Sequence, residues 1–224
     1  MRACILFLLC GLLTSTTVAA DRVARILYYN APADAPETAY AHQAGKKPQE
    51  VELGRHNFSE SFKLAEETKH LFFLPNALPE NTPAPSGAPS VEIPISWNKV
   101  LIIVLEDESN PTLPIQFKAI NANDDAFGPG DTCFVNFSKV TVLGTVGDKD
   151  LILKPSEFEI ISQPRKDRGM YLQKLDAYHQ GEKIRRRLVQ QKCQYDPSER
   201  VLTFMVASPP PRMVKVYSAP ILDF

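Results

Sequence analysis

Proline constrains this chain more than any other residue. Nineteen prolines are spread through its 224 residues, and each removes a backbone donor and breaks a helix interior. The segments between them are short and rich in Val, Ile, Phe and Tyr, and they are bounded by Pro, Gly, Asn or Asp. Period-two alternation runs through QEVELG, SFKLAE, PIQFKAI and DLILKPSEFEII, which predicts half-buried strands. KVLIIVLED, from Lys99, is apolar without alternation and predicts a strand covered on both faces. VTVLGTVGDKDLIL predicts a hairpin turning at Gly147-Asp148. Two longer strands follow, GMYLQKLDAYHQ and EKIRRRLVQQKCQY, meeting near Gly181, and then RVLTFMVAS and RMVKVYS. SESFKLAEETKH has the composition of a helix, but Phe62 and Leu64 alternate, so strand then turn is expected. The fold class is all-β.

The strands divide into two sets. About seven fall between Asp21 and Asn123, and seven or eight between Asp124 and Phe224. Each set suits an immunoglobulin-like β-sandwich of roughly 100 residues. The expected joint is NANDDAFGPGD, Asn121 to Asp131. The proline-rich stretch 75–90 is the competing boundary, but it would leave too short a domain before it. It is read as a stiff loop inside the first sandwich.

Residues 1–20 have the layout of a secretory signal peptide. Arg2 precedes an apolar run from Ile5 to Leu13, and small residues Val18-Ala19-Ala20 end the segment. Cleavage before Asp21 would leave a mature chain of 204 residues and remove Arg2, the only charge in the segment. The remaining 24 basic and 26 acidic side chains give a formal net charge of −2. Nucleic acid and anionic membranes demand a basic field, so neither is an expected partner. The longest other apolar run, VLIIVL from Val100, is too short to span a bilayer.

The stretch ARILYYNAPADAPETAY, Ala24 to Tyr40, interrupts a strand with Asn, Pro and Asp. Asn30 and Asp34 can form Asx turns, while Pro32 and Pro36 fix φ. A bend carrying the chain from one sheet to the other is the main reading. A ligand loop of Asn30, Asp34 and Tyr40 is the alternative. The stretch resembles a bacterial extracytoplasmic domain family whose first strand reads R-h-x-x-N-A-S-P-D-A-P-x-h-D-V-Y-x-x-G, with h apolar. Arg25, Asn30-Ala31, Asp34-Ala35-Pro36, Tyr40 and Gly45 match it. Pro32-Ala33 replace its Ser-Pro, and Thr38 replaces its Asp. The match covers about twenty residues, with an echo in CFVNFSKVTVLG, where Asn136 again ends a strand. The resemblance implies an exported, β-rich and often tandem protein, and it carries no catalytic residues. Over its whole length the chain is similar to exported bacterial proteins.

The sequence contains no G-x-S-x-G, H-E-x-x-H, phosphate loop or dinucleotide fingerprint. His42, His56 and His70 recur every fourteen residues, but solvated or half-buried histidines are expected rather than a metal site. Asp107, Asn123, Asp124 and Asp125 are oxygen ligands at strand ends without calcium-loop spacing, and solvated turns are expected there. Arg185-Arg186-Arg187, with Lys183 and Lys192, would be split between two faces of a strand. Trp97 is the only tryptophan, which leaves Tyr28, Tyr29, Tyr171 and Tyr178 as candidate glycan-stacking rings. Asn57 and Asn136 each begin an NFS sequon. Cys133 and Cys193 are the two mature cysteines and a candidate disulfide, each in phase with apolar neighbours on its strand.

The reading that follows is an exported, non-enzymatic β-sandwich protein with no cofactor. It would act as a binding or structural module on a protein or other cell-envelope component. A glycan-binding module is the alternative, and a hydrolytic enzyme stands third.

Overall fold

A computed structural model describes residues 21–29, 31–179, 184–209, 214–221 and 224. Among these residues the regular elements are all strands, and no helix is long and apolar enough to cross a membrane. The first eight strands are β1 (Arg22–Leu27), β2 (Thr38–His42), β3 (Gln49–Glu52), β4 (Phe62–Leu64), β5 (His70–Leu74), β6 (Ser90–Glu92), β7 (Lys99–Glu106) and β8 (Ile115–Asn121). They form two sheets of order β4-β1-β7-β8 and β3-β2-β5-β6. The next eight are β9 (Asp131–Phe137), β10 (Thr141–Val146), β11 (Lys149–Leu153), β12 (Phe158–Ser162), β13 (Gly169–His179), β14 (Ile184–Tyr195), β15 (Arg200–Ala207) and β16 (Val214–Ile221). Their sheets have the order β12-β9-β15-β16 and β11-β10-β13-β14.

Adding eight to each strand number of the first pair of sheets produces the second pair. The one parallel pairing is conserved in this correspondence: β1 runs parallel to β7, and β9 parallel to β15. The chain is therefore a tandem repeat of one eight-stranded sandwich. The two-sheet architecture is the expected one. Its strand order, four on four with the first strand beside the seventh, differs from the seven-stranded, four-on-three order of an immunoglobulin constant-type domain.

The local chemistry explains the turns. Gly147 has φ 63° at the first position of the two-residue β10–β11 turn, and Asp148 does not share the positive φ, as a type II′ hairpin requires. The stretch after β1 turns through the bonds from Ala31 N–H to the Tyr28 carbonyl and from Ala35 N–H to the Pro32 carbonyl. It carries the chain from the β4-β1-β7-β8 sheet to β2 in the facing sheet. Arg55 holds it there by donating to the Ala35 carbonyl at 2.6 Å. The proline-rich stretch connects β5 to β6 within one sheet, as a loop of the first sandwich.

Three cores stack through the molecule. The first lies between the two sheets of the first sandwich and includes Ile26, Phe73, Ile102 and Phe117. The third lies within the second sandwich and includes Phe134, Leu151, Leu175 and Met205. The middle core joins the sandwiches: Leu27, Leu101, Ile103 and Phe127 pack with Cys133, Val135, Leu202 and Phe204. The order of layers follows from side-chain parity. Along β7, Val100, Ile102 and Val104 face the first core, while Leu101, Ile103 and Leu105 face the middle one. Along β9, Phe134 faces the third core and Cys133 and Val135 the middle one. Both inner sheets are thus covered on both faces, which is why their central strands read as continuous apolar runs.

At one pole the joint between β8 and β9 is held by charge. Lys99 and Arg200 begin the equivalent strands β7 and β15, and both reach the Asp124 carboxylate at 2.8 Å. Arg200, 5% exposed, also donates to the Ala122 and Phe127 carbonyls at 3.0 and 2.8 Å. Asn123 accepts from the Asn98 and Lys99 amides. A second buried guanidinium, Arg22, gathers the carbonyls of Ala65, Glu66, Thr68, Pro94 and Trp97 at the start of β1.

The candidate disulfide is corrected by the same parity. Cys133 and Cys193 are free. Cys133 faces the middle core, toward the first sandwich, whereas Cys193 packs against the third core from β14. The neighbour of Cys133, Thr132, hydrogen-bonds instead to Tyr171, which also hydrogen-bonds to Cys193. Each thiol points inward, but into a different interior, so the backbone of β9 stands between them. Cys193 donates instead to the Gln173 side-chain oxygen at 3.1 Å. Burial pushes the Cys133 thiol up to about 12, which suppresses the thiolate needed for exchange. Thiol titration of denatured, unreduced protein is expected to find both cysteines free; finding neither would restore the bridge.

Candidate functional site

At the pole opposite the joint, a cleft of about 400 Å³ opens between the sandwiches. The first sandwich contributes Tyr28 and Tyr29 from the exit of β1, Val104 to Glu106 from the end of β7, and Gln116 from β8. The second contributes Phe137, Lys139, Phe204, Val206 to Pro209, Lys215 and Tyr217. Because equivalent strands of the two inner sheets run from the joint toward the cleft, their ends meet here. Four of the five aromatic rings that line it form one contacting cluster. Tyr29 and Tyr217 lie 4.6 Å apart between centroids, tilted by 51°. Phe204 packs edge-on to Tyr29 at 6.2 Å, and lies 5.6 Å from Tyr217 and 6.4 Å from Phe137. Such offset and edge-to-face contacts are the favoured aromatic geometries.

Tyr28 is buried, and burial pushes its hydroxyl up to about 12, with Glu106 and Asp34 adding to the effect and Arg55 opposing it. It is therefore a neutral hydroxyl at any physiological pH. Glu106, Lys139 and Lys215 make no ion pair with another described residue, although all three line the cleft. Among the described residues no histidine or cysteine lines it.

The sequence-derived ligand loop is only partly consistent with this geometry. Asn30 lies outside the described residues. Asp34 is exposed and acts on Tyr28 through its charge. Tyr40 does not converge with it: Ala39 and Ala41 occupy the core-facing positions of β2, so Tyr40 points to the outer face, beside Glu50 and Leu74 on the neighbouring strands. Of the four candidate tyrosines, Tyr28 and Tyr29 reach the cleft, Tyr171 fills the third core, and Tyr178 sits on the outer face of β13. Tyr217 and Phe137 escaped the sequence reading because nothing local marks them. They join the cleft only through the packing of one sandwich on the other.

The remaining candidates have structural positions. Asp107 follows β7 and Asn123 to Asp125 follow β8; these strands are antiparallel, so the two groups lie at opposite ends of the hairpin. Asp107 accepts from Ser109, while Asp124 is occupied by the joint cations. Among the described residues no three His, Cys, Asp or Glu side chains form a metal-binding group. Asn57 is exposed, but Asn136 is fully buried, donating to the Val140 and Leu153 carbonyls and accepting from Ser138. Its sequon is closed to glycosylation. Arg185 and Arg187 share the outer face of β14 and Arg186 the other, and Arg187 is paired with Asp176.

His56 and His70 are exposed, whereas His42 is 9% exposed although it follows the core-facing Ala41. The proline-rich loop covers it: His42, Phe72, Pro79 and Pro83 share a second cavity. Burial lowers the His42 pKa, opposed by a hydrogen bond to the Asn76 backbone, and its Nε2 finds no hydrogen-bond partner among the described residues. The unfolded chain then binds a proton more readily than the folded one. Stability is expected to hold above about pH 6.5 and to fall as pH drops below it, with a slope of at most about 1.4 kcal/mol per pH unit. The depressed carboxylates Glu67, Asp124 and Asp196 add their losses only at lower pH. Urea midpoints at about pH 7 and 5.2 should differ in the parent and converge in His42→Gln; equal slopes in both proteins would exclude this histidine as the source.

No known family model matches the chain, and no curated protein sequence matches it.

Proposed function

We propose that this protein is an exported, non-enzymatic binding module that receives its ligand in the cleft between its two sandwiches. The observation that carries the proposal is a concave site, within the volume range of small-molecule pockets, that joins an aromatic cluster to charged side chains without an ion-pair partner among the described residues. Elsewhere between the sandwiches the facing side chains are packed into a continuous core. A binding role is favoured over hydrolysis because the described lining contains no histidine or cysteine, and Tyr28 is held neutral by its burial. The partner would be a small molecule of the cell envelope or an exposed group of an envelope component. Tyr29 and Tyr217 also keep a glycan in view, since their rings offer apolar faces to a sugar.

A thermal-shift screen of small metabolites and saccharides tests the site. Ligands that raise the melting temperature should lose the effect in Tyr217→Ala; an undiminished shift would place binding elsewhere and overturn the proposal. Export rests on the N-terminal pattern of residues 1–20. The exported product is expected to begin at Asp21 by intact mass, and soluble protein retaining Met1 to Ala20 would refute it.

A further inference from the structure

We infer that the ligand of this cleft is a small carboxylic acid carried on a ring, an inference that rests on the binding role proposed above. The decisive residue is Lys215. Along β16 the positions facing the first sandwich are Ile221, Ala219, Tyr217 and Lys215. Ile221 and Ala219 are buried in the middle core, and Tyr217 packs against it. The alternate positions, Val214 and Val216, belong to the third core. Lys215 thus continues an apolar, inward-facing row and is itself only partly exposed. Its cross-strand neighbour is Val206, and no described carboxylate pairs with it.

Lys215 lines the cleft beside the rings and offers an entering anion a charge-assisted hydrogen bond. Lys139 lines the same cleft from the loop after β9 and adds a second cation. The opposite wall carries one carboxylate, Glu106. Two cations against one anion favour a monoanion over a neutral ligand. Tyr29 and Tyr217, backed by the buried Phe204 ring, supply the complementary surface for a flat, apolar-faced body. An aromatic acid and a uronic sugar share this chemistry, each offering a ring face and one carboxylate.

Titration calorimetry of the mature protein with indole-3-acetate and D-galacturonate, beside neutral indole-3-ethanol and D-galactose, tests the inference and separates the two sources. At least one acid should bind about tenfold or more tightly than its neutral counterpart, with added salt weakening the acid alone. Lys215→Gln should remove most of that preference while leaving the melting temperature and the neutral ligand's affinity unchanged. Equal affinities for acid and neutral partner, or acid binding untouched by Lys215→Gln, would refute the anion while leaving the cleft as a binding site. Absence of binding by both acids at about 10 mM would also refute it. Binding that survives Tyr217→Ala would instead remove the cleft reading on which the inference stands.

Discussion

Phe204→Ala is expected to lower the free energy of unfolding by about 3–5 kcal/mol. Phe204 is 2% exposed and lies in the core shared by the sandwiches. Its ring meets Tyr29 of the first sandwich and Phe137 and Tyr217 of the second. Truncation removes the ring from between two rigid sheets, so neither side can collapse onto the gap without moving a whole sandwich. The cost should therefore approach the upper part of the range for a buried phenylalanine. Phe204→Leu keeps much of the volume and should cost about half as much or less. Urea unfolding of the three proteins checks this. A loss below about 1 kcal/mol for the alanine variant would mean that the sandwiches close over the gap. Because the same ring forms part of the cleft, Phe204→Ala should also weaken any ligand that binds there.

Arg200→Met is expected to cost about 3 kcal/mol, most of it from carbonyl groups rather than from the ion pair. The Arg200 guanidinium satisfies the Ala122 and Phe127 carbonyls in a buried setting and stands over the Phe127 ring at 5.9 Å. Methionine retains the stem but strands both carbonyls away from water. The ionic partner is a different matter. The Asp124 side chain is 60% exposed, so solvent screens its attraction, and Asp124→Asn should cost only about 1 kcal/mol or less. Denaturant unfolding separates the two contributions. If Asp124→Asn proved as costly as Arg200→Met, the salt bridge and not the carbonyl cage would hold the joint. High salt should then weaken the parent strongly, whereas the carbonyl account predicts little response.

These two residues mark the limits of sequence reading for this chain. Strands were legible because alternation, proline and turn glycines act within a few residues: the Gly147-Asp148 hairpin and the strand at Phe62–Leu64 both lie where local chemistry puts them. The continuous run of β7 even announced that both of its faces are covered. What covers each face was not legible. Side-chain parity assigns residues to two sides of a strand, but it does not say whether the far side meets water, the same sandwich or a second one.

That ambiguity accounts for the failures one by one. Cys133 and Cys193 both point inward, as their phases indicate, yet the interiors differ because β9 is buried on both sides. Asp124 reads as a solvated turn until the tandem repeat brings Lys99 and Arg200, a hundred residues apart, to the same carboxylate. RMVKVYS reads only as a strand, with neither face assigned. The structure turns Val214 and Val216 toward the third core and places Lys215 and Tyr217 against the first sandwich. The sequence by itself thus determined the strands, their alternation and the division into two sets, all set by local sterics and hydrogen bonding. Only the tertiary structure decided which apolar face meets which, because packing two equivalent sheets depends on surfaces assembled from distant segments, and the cleft exists only where that packing ends.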